Sequence, residues 1–171
     1  EIRLAGENPI VDWLVGGFYT RDHVLTSYDG RLEALFNTTS LTQSDQVTKS
    51  AALFANGEWK IAPPLSIVTG LRYTSEKRRN TGSTIDLVSL APGSALSGAP
   101  FGSPPVTPGS VDGRISDDNI SYKLGVNWKP SPRLLIYASA SKGIKSGGFF
   151  AGVATSSAQL QPYRPETLYA Y

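Results

Sequence analysis

The chain has 171 residues, of which 40% are hydrophobic and 18% are charged, with a formal net charge of +2. This charge is too small to indicate a nucleic-acid partner, and the absence of cysteine excludes disulfides, a thiol nucleophile and zinc–thiolate sites. Its 17 glycines and 12 prolines, with many uncharged polar residues, favour strands and turns over helices. No run of about 18 apolar residues is present, which excludes a membrane-spanning helix but leaves open a membrane β-barrel.

The two ends of the chain indicate a piece of a longer protein. Methionine is absent even at position 1, and the last residues, 166–171, stop within an alternating segment. We therefore expect any signal peptide to lie upstream.

Several segments alternate apolar and polar residues with a period of two, which predicts strands because successive side chains leave a strand on opposite faces. In chain order these segments are residues 1–4, 11–23, 45–59, 65–77, 119–128 and 134–137, and a further one begins at Glu166. The clearest alternation has Leu124 and Trp128 on its apolar side and Lys123 and Asn127 on its polar side. We count about seven strands, and the complete ones have roughly the length that crosses a bilayer when tilted.

The predicted connections alternate between short and long. Residues 5–10, 60–64 and 130–132 are short turns with proline or glycine, whereas residues 24–44, 78–118 and 143–165 are long and irregular, with a short helix at 31–36. Long loops are unusual in a compact soluble domain. Short turns at one end and long loops at the other are typical of outer-membrane barrels.

Aromatic residues occur at two levels along the predicted strands. Tryptophans lie beside the short turns and tyrosines lie toward the long connections, as interfacial girdles do. The lipid-facing girdle is predicted to consist of Trp13, Tyr19, Trp59, Tyr73, Tyr122 and Trp128, and the lumen-facing residues to include Arg72, Glu76, Lys123 and Asn127. The predicted fold is an all-β, antiparallel transmembrane β-barrel fragment of about three and a half hairpins, with short periplasmic turns and long extracellular loops.

Motifs near the end of the chain resemble those of TonB-dependent outer-membrane receptors. The segment YASASKGIKSGGFF (residues 137–150), followed by PETLYAY (165–171), is similar to two consecutive barrel motifs of that family, although Ile144 stands where an aromatic residue is more usual. GLRYTSEK (70–77) and EIRLAG with WLVGGFYTRDH, near the start of the chain, also look like strands of that family. The resemblance implies that residues 1–171 are part of one large barrel domain whose plug domain and TonB-contacting box lie upstream.

The same resemblance implies TonB-dependent uptake of a scarce ligand in the bacterial outer membrane, with a ferric siderophore as the favoured ligand. The expected partners are outer-membrane lipid and lipopolysaccharide, the plug domain of the full-length chain, TonB through that plug, and the small-molecule ligand. The alternatives are a passive outer-membrane channel and a soluble β-sandwich ligand-binding module, which also has one apolar face. A barrel enzyme ranks last because no nucleophile and base pair is discernible.

Five basic residues are candidates for contacts with an anionic ligand or with lipopolysaccharide phosphates, because arginine and lysine pair with phosphate. They are Lys77, Arg78, Arg79, Lys142 and Lys145. The simpler interpretation, solvated charge at the start of a loop, is favoured, since most surface charges have no specific role.

No catalytic, cofactor or metal site is predicted. His23 is the only histidine and has no neighbouring ligands, and Asp117-Asp118 lacks the spacing of a calcium loop. The aromatic residues of the long connections are expected to pack those connections rather than to stack on a ligand; they are Tyr28, Phe36, Phe101, Phe149 and Phe150.

Overall fold

A computed structural model describes residues 1–31, 33–36, 38–89, 96–100 and 102–171. These residues form one antiparallel sheet of seven strands, in which each strand pairs with its neighbours in sequence. The strands are β1 (Ile2–Glu7), β2 (Val11–Arg31), β3 (Thr38–Ala62), β4 (Leu65–Ser89), β5 (Val106–Ser131), β6 (Leu134–Lys145) and β7 (Glu166–Ala170). The order confirms the predicted all-β class, and the sheet is open, as expected for a barrel segment.

Helical structure among these described residues is confined to two single turns. Helix α1 covers Glu33–Phe36, within the helix predicted at residues 31–36, and a 3-10 helix covers Ser157–Leu160. Within the described parts of the chain, no helix has the length and hydropathy needed to cross a membrane.

The three short turns lie at one end of the sheet, as predicted. They occupy residues 8–10, 63–64 and 132–133. In the first turn, Oδ1 of Asn8 accepts hydrogen bonds from the backbone N–H groups of Ile10 and Val11, both at 2.8 Å. An asparagine side chain that bonds to backbone two or three residues ahead stabilises a tight turn. Proline forms the other two turns, where its missing N–H is not needed.

Strands β2 to β5 extend much further from these turns than the sequence predicted. Residues 24–44 and 78–118 were predicted to be irregular, but β2 continues to Arg31, β3 begins at Thr38, β4 reaches Ser89 and β5 begins at Val106. The prediction was wrong because serine, threonine and charged residues occupy both faces of these extensions. Alternating hydrophobicity then disappears although the backbone ladder continues.

The longer strands change the position of the basic residues Lys77, Arg78 and Arg79. The sequence placed them where a strand ends and a loop begins, but they lie in the middle of β4. Lys142 and Lys145 likewise lie within β6 rather than in the following connection.

The two faces of the sheet are defined by register. We call outward the face that bears Trp13 and its register partners, and inward the face that bears Arg72 and its partners. At the end far from the short turns, the inward face is covered by the connection between β6 and β7, residues 146–165, which we call the cap.

The cap packs against β4 and β5. Phe149, Ala154 and Leu160 of the cap form a buried hydrophobic cluster with Val111 of β5. The Phe149 ring lies directly on Gly113, where an added Cβ would be 2.6 Å from the ring. Glycine at this position therefore allows the cap to approach the sheet closely.

Backbone hydrogen bonds from the cap to side chains of the sheet add to this packing. The N–H of Ala154 donates to Oγ1 of Thr84 at 3.0 Å, and the N–H of Gly147 donates to Oδ2 of Asp117 at 3.0 Å. In the opposite direction, the N–H of Ser110 in β5 donates to Oγ of Ser157 at 3.1 Å. The cap is thus attached along its length rather than at a single point.

Candidate functional site

The outward face carries all six aromatic residues that the sequence assigned to a girdle. Their side chains are between 39% and 63% exposed, and they share the face with exposed leucines such as Leu53, Leu71 and Leu124. A large contiguous apolar surface indicates an interface with a membrane or another protein. No second layer covers this face among the described residues, whereas a soluble sandwich requires one.

The tryptophan level is slanted relative to the hydrogen-bonded rows of the sheet. The row that starts at Trp13 passes through Gly57 and Thr69 and reaches Leu124 three strands away. Trp128 lies four residues beyond Leu124, toward the short turns. Four residues span about 13 Å and three strand spacings about 14 Å, so the level is inclined by about 43° to the rows.

The tyrosine level is slanted by the same amount and in the same direction. The row that starts at Tyr19 reaches Asp118 in β5, and Tyr122 lies four residues beyond it toward the short turns. The two levels are therefore parallel, and the strands are tilted by about 43° from their common normal. Strands of transmembrane barrels are tilted by about 35–45° to the membrane normal, and the inclination found here lies within that range.

The four residues predicted to face a lumen all lie on the inward face. Arg72 is central: its guanidinium lies 5.7 Å from the ring centroids of both Phe18 and Phe54, and its Nε donates to Oγ1 of Thr74 at 3.1 Å. Such cation–π contacts hold a guanidinium over aromatic faces without neutralising its charge. Arg72 thus presents a fixed positive charge to the inward side.

The other three inward residues lie around this arginine at different heights. Lys123 and Arg72 line the same groove of about 610 Å³ on the inward face. Nearer the short turns, Nδ2 of Asn127 lies 3.5 Å from Oε1 of Glu58. Farther from the turns, Glu76 forms an ion pair with Arg78 at 2.8 Å. Charged and polar side chains therefore occur at every height of the inward wall, beside aromatic rings such as Phe18 and Phe54.

The five basic candidates do not form one cluster, because the sheet divides them between its faces. Lys77, Arg79 and Lys142 point outward, whereas Arg78 and Lys145 point inward. The two inward residues are paired with carboxylates: Arg78 with Glu76, and Lys145 with Glu166 at 3.5 Å.

Sequence reasoning missed other cations of the outward face. Arg21 and Lys49 lie in the same hydrogen-bonded row as Lys77, and Arg114 lies directly opposite Arg79. The side of each strand was readable from parity, but the alignment of one strand with the next depends on turn geometry that the sequence did not reveal.

The remaining candidates make ordinary contacts. His23 lies 2.8 Å from Asp45, and within the described ranges no three histidine, cysteine or acidic side chains converge as a metal site would require. Asp117 and Asp118 are consecutive in β5 and therefore point to opposite faces.

The aromatic residues of the long connections differ in exposure. Phe149 packs as expected, with 7% of its surface exposed, whereas Phe150 is 48% exposed and Tyr28 is also exposed. The Phe36 side chain and Phe101 lie outside the described residues.

Comparison with known proteins places this architecture in a family. Residues 4–171 match the family model described as TonB dependent receptor-like, beta-barrel. Among solved structures, the ferric yersiniabactin uptake receptor FyuA from Yersinia pestis is similar, with a TM-score of 0.65 and 18% sequence identity. The match covers 96% of this chain and 23% of that receptor, and no curated protein sequence matches. This chain belongs to the TonB-dependent receptor-like β-barrel family.

Proposed function

We propose that this chain forms part of the wall and extracellular connections of an outer-membrane receptor that takes up a scarce ligand in a TonB-dependent manner. The favoured ligand is a ferric siderophore, and the similar Yersinia structure is named as a ferric yersiniabactin uptake receptor. The observation that carries the proposal is the pair of parallel aromatic levels on an exposed apolar face, because it fits the two interfaces of a bilayer and the tilt of barrel strands.

This proposal assigns a different solvent to each face. The girdle residues and the leucines between them contact lipid, and the short turns lie in the periplasm. Along β2, Trp13 and Tyr19 are six residues apart, or about 20 Å along the strand. At the strand tilt of about 43°, this is about 15 Å along the normal to the two levels, so the two rings lie inside the apolar band of about 25 Å in outer-membrane barrels, each about 5 Å from its edge.

The inward residues Arg72, Glu76, Lys123 and Asn127 face a plug domain or a wet lumen. A charged wall is tolerable there because water or polar partners replace the solvation that lipid does not supply. TonB acts on the receptor through the plug, and β3, β4 and β5 carry the ligand-facing connections beyond the outer interface. In this arrangement, Arg78 and Lys145 lie on the inward side, where each is paired with a carboxylate.

Energy-dependent iron uptake tests the proposal. The complete receptor is expressed in an outer-membrane host lacking its own siderophore receptors, and radiolabelled ferric siderophores of catecholate, hydroxamate and phenolate chemistry are supplied. We expect accumulation of at least one chelate in cells with TonB and none in an otherwise identical strain without TonB.

The rival functions give different outcomes in the same cells. Uptake that is equal with and without TonB would identify a passive channel. Recovery of the protein from the soluble periplasmic fraction would identify a soluble binding module instead. Either result would refute the receptor proposal.

A further inference from the structure

Three cations occupy one hydrogen-bonded row of the outward face. Arg21 in β2 is directly opposite Lys49 in β3, and Lys49 is directly opposite Lys77 in β4. All three side chains are exposed, and within the described parts of the chain none has an ion-pair or side-chain hydrogen-bond partner. Like charges directly opposite on neighbouring strands are destabilising, so this triad of Arg21, Lys49 and Lys77 calls for an anion.

The surroundings of the triad do not supply that anion. In the next row away from the short turns, Arg79 is directly opposite Arg114. Asp112 already forms an ion pair with Arg79 at 3.3 Å, so its carboxylate does not serve the triad. The outward carboxylate diagonal to Lys77 is Asp118, which accepts a hydrogen bond from the Tyr73 hydroxyl at 3.1 Å and forms no ion pair with any residue that the structure describes. The cations of the triad therefore remain uncompensated by the protein.

An apolar cleft of about 480 Å³ opens next to the triad, on the side of the short turns. Tyr19 and Tyr73 line it, and we call its small lining residues on the outward face, Gly17, Ala51 and Ser75, the floor. Glu1 also lines the cleft, but its carboxylate is already paired with the Arg3 guanidinium. Ala51 and Ser75 belong to the row adjacent to the triad, so the cleft begins within one row, or about 7 Å, of the three charges. The small floor residues leave the space that larger outward side chains fill elsewhere.

We propose that the triad and the cleft together bind one phosphorylated lipid of the surrounding leaflet. The lipid phosphate lies on the three cations, where arginine pairs with its oxygens bidentately, and one acyl chain lies in the cleft between the two tyrosines. The triad spans two strand spacings, about 10 Å, which suits a lipid headgroup rather than a single small ion. This inference rests on the membrane placement proposed above and names the lipid chemistry that the outer wall selects.

The combination of charge and apolar surface selects this occupant. Inorganic phosphate satisfies the cations but leaves the cleft empty, whereas a zwitterionic lipid fills the cleft but brings its own positive charge to the triad. Only an anionic amphiphile matches both parts of the site.

Lipid retention by the complete receptor tests the site. The purified receptor in detergent is incubated with the diphosphorylated glycolipid lipid A, with phosphatidylcholine, or with inorganic phosphate, and bound lipid is counted by native mass spectrometry. We expect lipid A to be retained, phosphatidylcholine to be retained at least tenfold less, and millimolar phosphate not to displace lipid A.

Variants separate the two parts of the site. Each of Arg21→Gln, Lys49→Gln and Lys77→Gln should weaken lipid A retention about fivefold, as expected for one cation at an anionic surface. Ala51→Leu, which fills the cleft floor, should weaken it by a similar factor. The matched controls are Lys129→Gln, an exposed lysine near a short turn, and Ala55→Leu, an outward alanine outside the cleft; neither should change retention.

The effect of Lys49→Gln on the melting temperature should change sign when lipid A is added. Without anionic lipid, Lys49→Gln should leave the melting temperature unchanged or raise it, because it relieves repulsion on both sides. With lipid A, the same variant should melt below the wild type, because it loses lipid-dependent stabilisation.

Several outcomes would overturn the inference. They are equal retention of lipid A by the wild type and the triad variants, equal effects of the control variants, or complete competition by free phosphate. If the receptor fails to insert into bilayers at all, the proposed function fails with it. If the receptor inserts and takes up ligand but its triad variants retain lipid A normally, the lipid site alone is refuted.

Discussion

The two ends of this sheet differ in which side chains they expose and which they bury. Near the short turns, the outward side chains are large and apolar, and they are exposed. At the far end, the inward side chains are small and polar, and they are buried: Thr38, Ser40 and Thr84 have no exposed surface. Burial therefore does not follow hydrophobicity along the same strands.

This difference shows that the two ends have different surroundings: the cap covers the polar end, and no protein layer of the described residues covers the outward face of the apolar end. An exposed apolar surface of this size marks a contact with a membrane or another protein. The polar end is covered by the cap, and most of its buried groups find partners: Thr42 bonds Thr84 at 3.2 Å, and Oγ of Ser44 donates to Oδ1 of Asn80 at 2.7 Å. A buried polar group is tolerated when it is paired in this way.

The largest effect is expected where the cap has its own hydrophobic core. Phe149→Ala removes a ring that is 7% exposed from the cluster with Val111, Ala154 and Leu160. Truncation of a buried phenylalanine costs about 3–5 kcal/mol. Here we expect the loss in the free energy of local opening of the cap, because the ring packs between the cap and the sheet. Hydrogen exchange at the Ala154 amide should therefore be strongly accelerated while the strands near the short turns keep their protection.

The neighbouring residue provides a matched control. Phe150 is 48% exposed, so Phe150→Ala should change exchange at Ala154 little. Equal acceleration by both variants would show that the cap is not held by the buried cluster.

A smaller effect is expected from a charge on the apolar end. Leu124 is outward, 55% exposed and between the two aromatic levels of β5, so Leu124→Arg places a charge in the apolar band. We expect a loss of about 2–4 kcal/mol in the free energy of unfolding, measured by refolding of the complete receptor into lipid vesicles. The adjacent Lys123 points inward, and Lys123→Gln should cost little.

This pair of variants discriminates between the faces because the residues are neighbours in the same strand. Comparable losses for Leu124→Arg and Lys123→Gln would contradict the assignment of lipid to the outward face. A negligible loss for Leu124→Arg would contradict it as well.

The sequence predicted the apolar end well and the polar end poorly, for one physical reason. Near the short turns, residues such as Leu124 and Lys123 alternate between an apolar and a polar face, and the alternation reveals both the strand and its faces. Beyond the tyrosine level both faces are polar, so the strand of Thr38 and Ser40 leaves no periodic signal. Only the backbone ladder, which does not depend on side-chain type, defines it there.

The cap contacts and the cation triad could not be predicted from the sequence for a different reason. The contact of Ala154 with Thr84 joins residues 70 positions apart, and no local pattern indicates it. The row of Arg21, Lys49 and Lys77 depends on the register of two hairpins, and a slip of one residue would send one of the cations to the other face. The types and parities of these residues were visible, but their alignment was not.

The smallest effect is expected from a single polar contact under the cap. Thr84→Val keeps the shape of a fully buried side chain but removes the hydroxyl that accepts from the Ala154 N–H at 3.0 Å. An unsatisfied buried group costs about 1–3 kcal/mol, because the N–H loses its partner and water does not replace it. Exchange at Ala154 should accelerate by less than in Phe149→Ala, whereas the same change at the exposed Thr107 of β5 should have no effect. If Thr84→Val leaves the exchange rate unchanged, water already reaches this amide, and the polar end is not sealed by its cap in the way that its buried threonines and serines require.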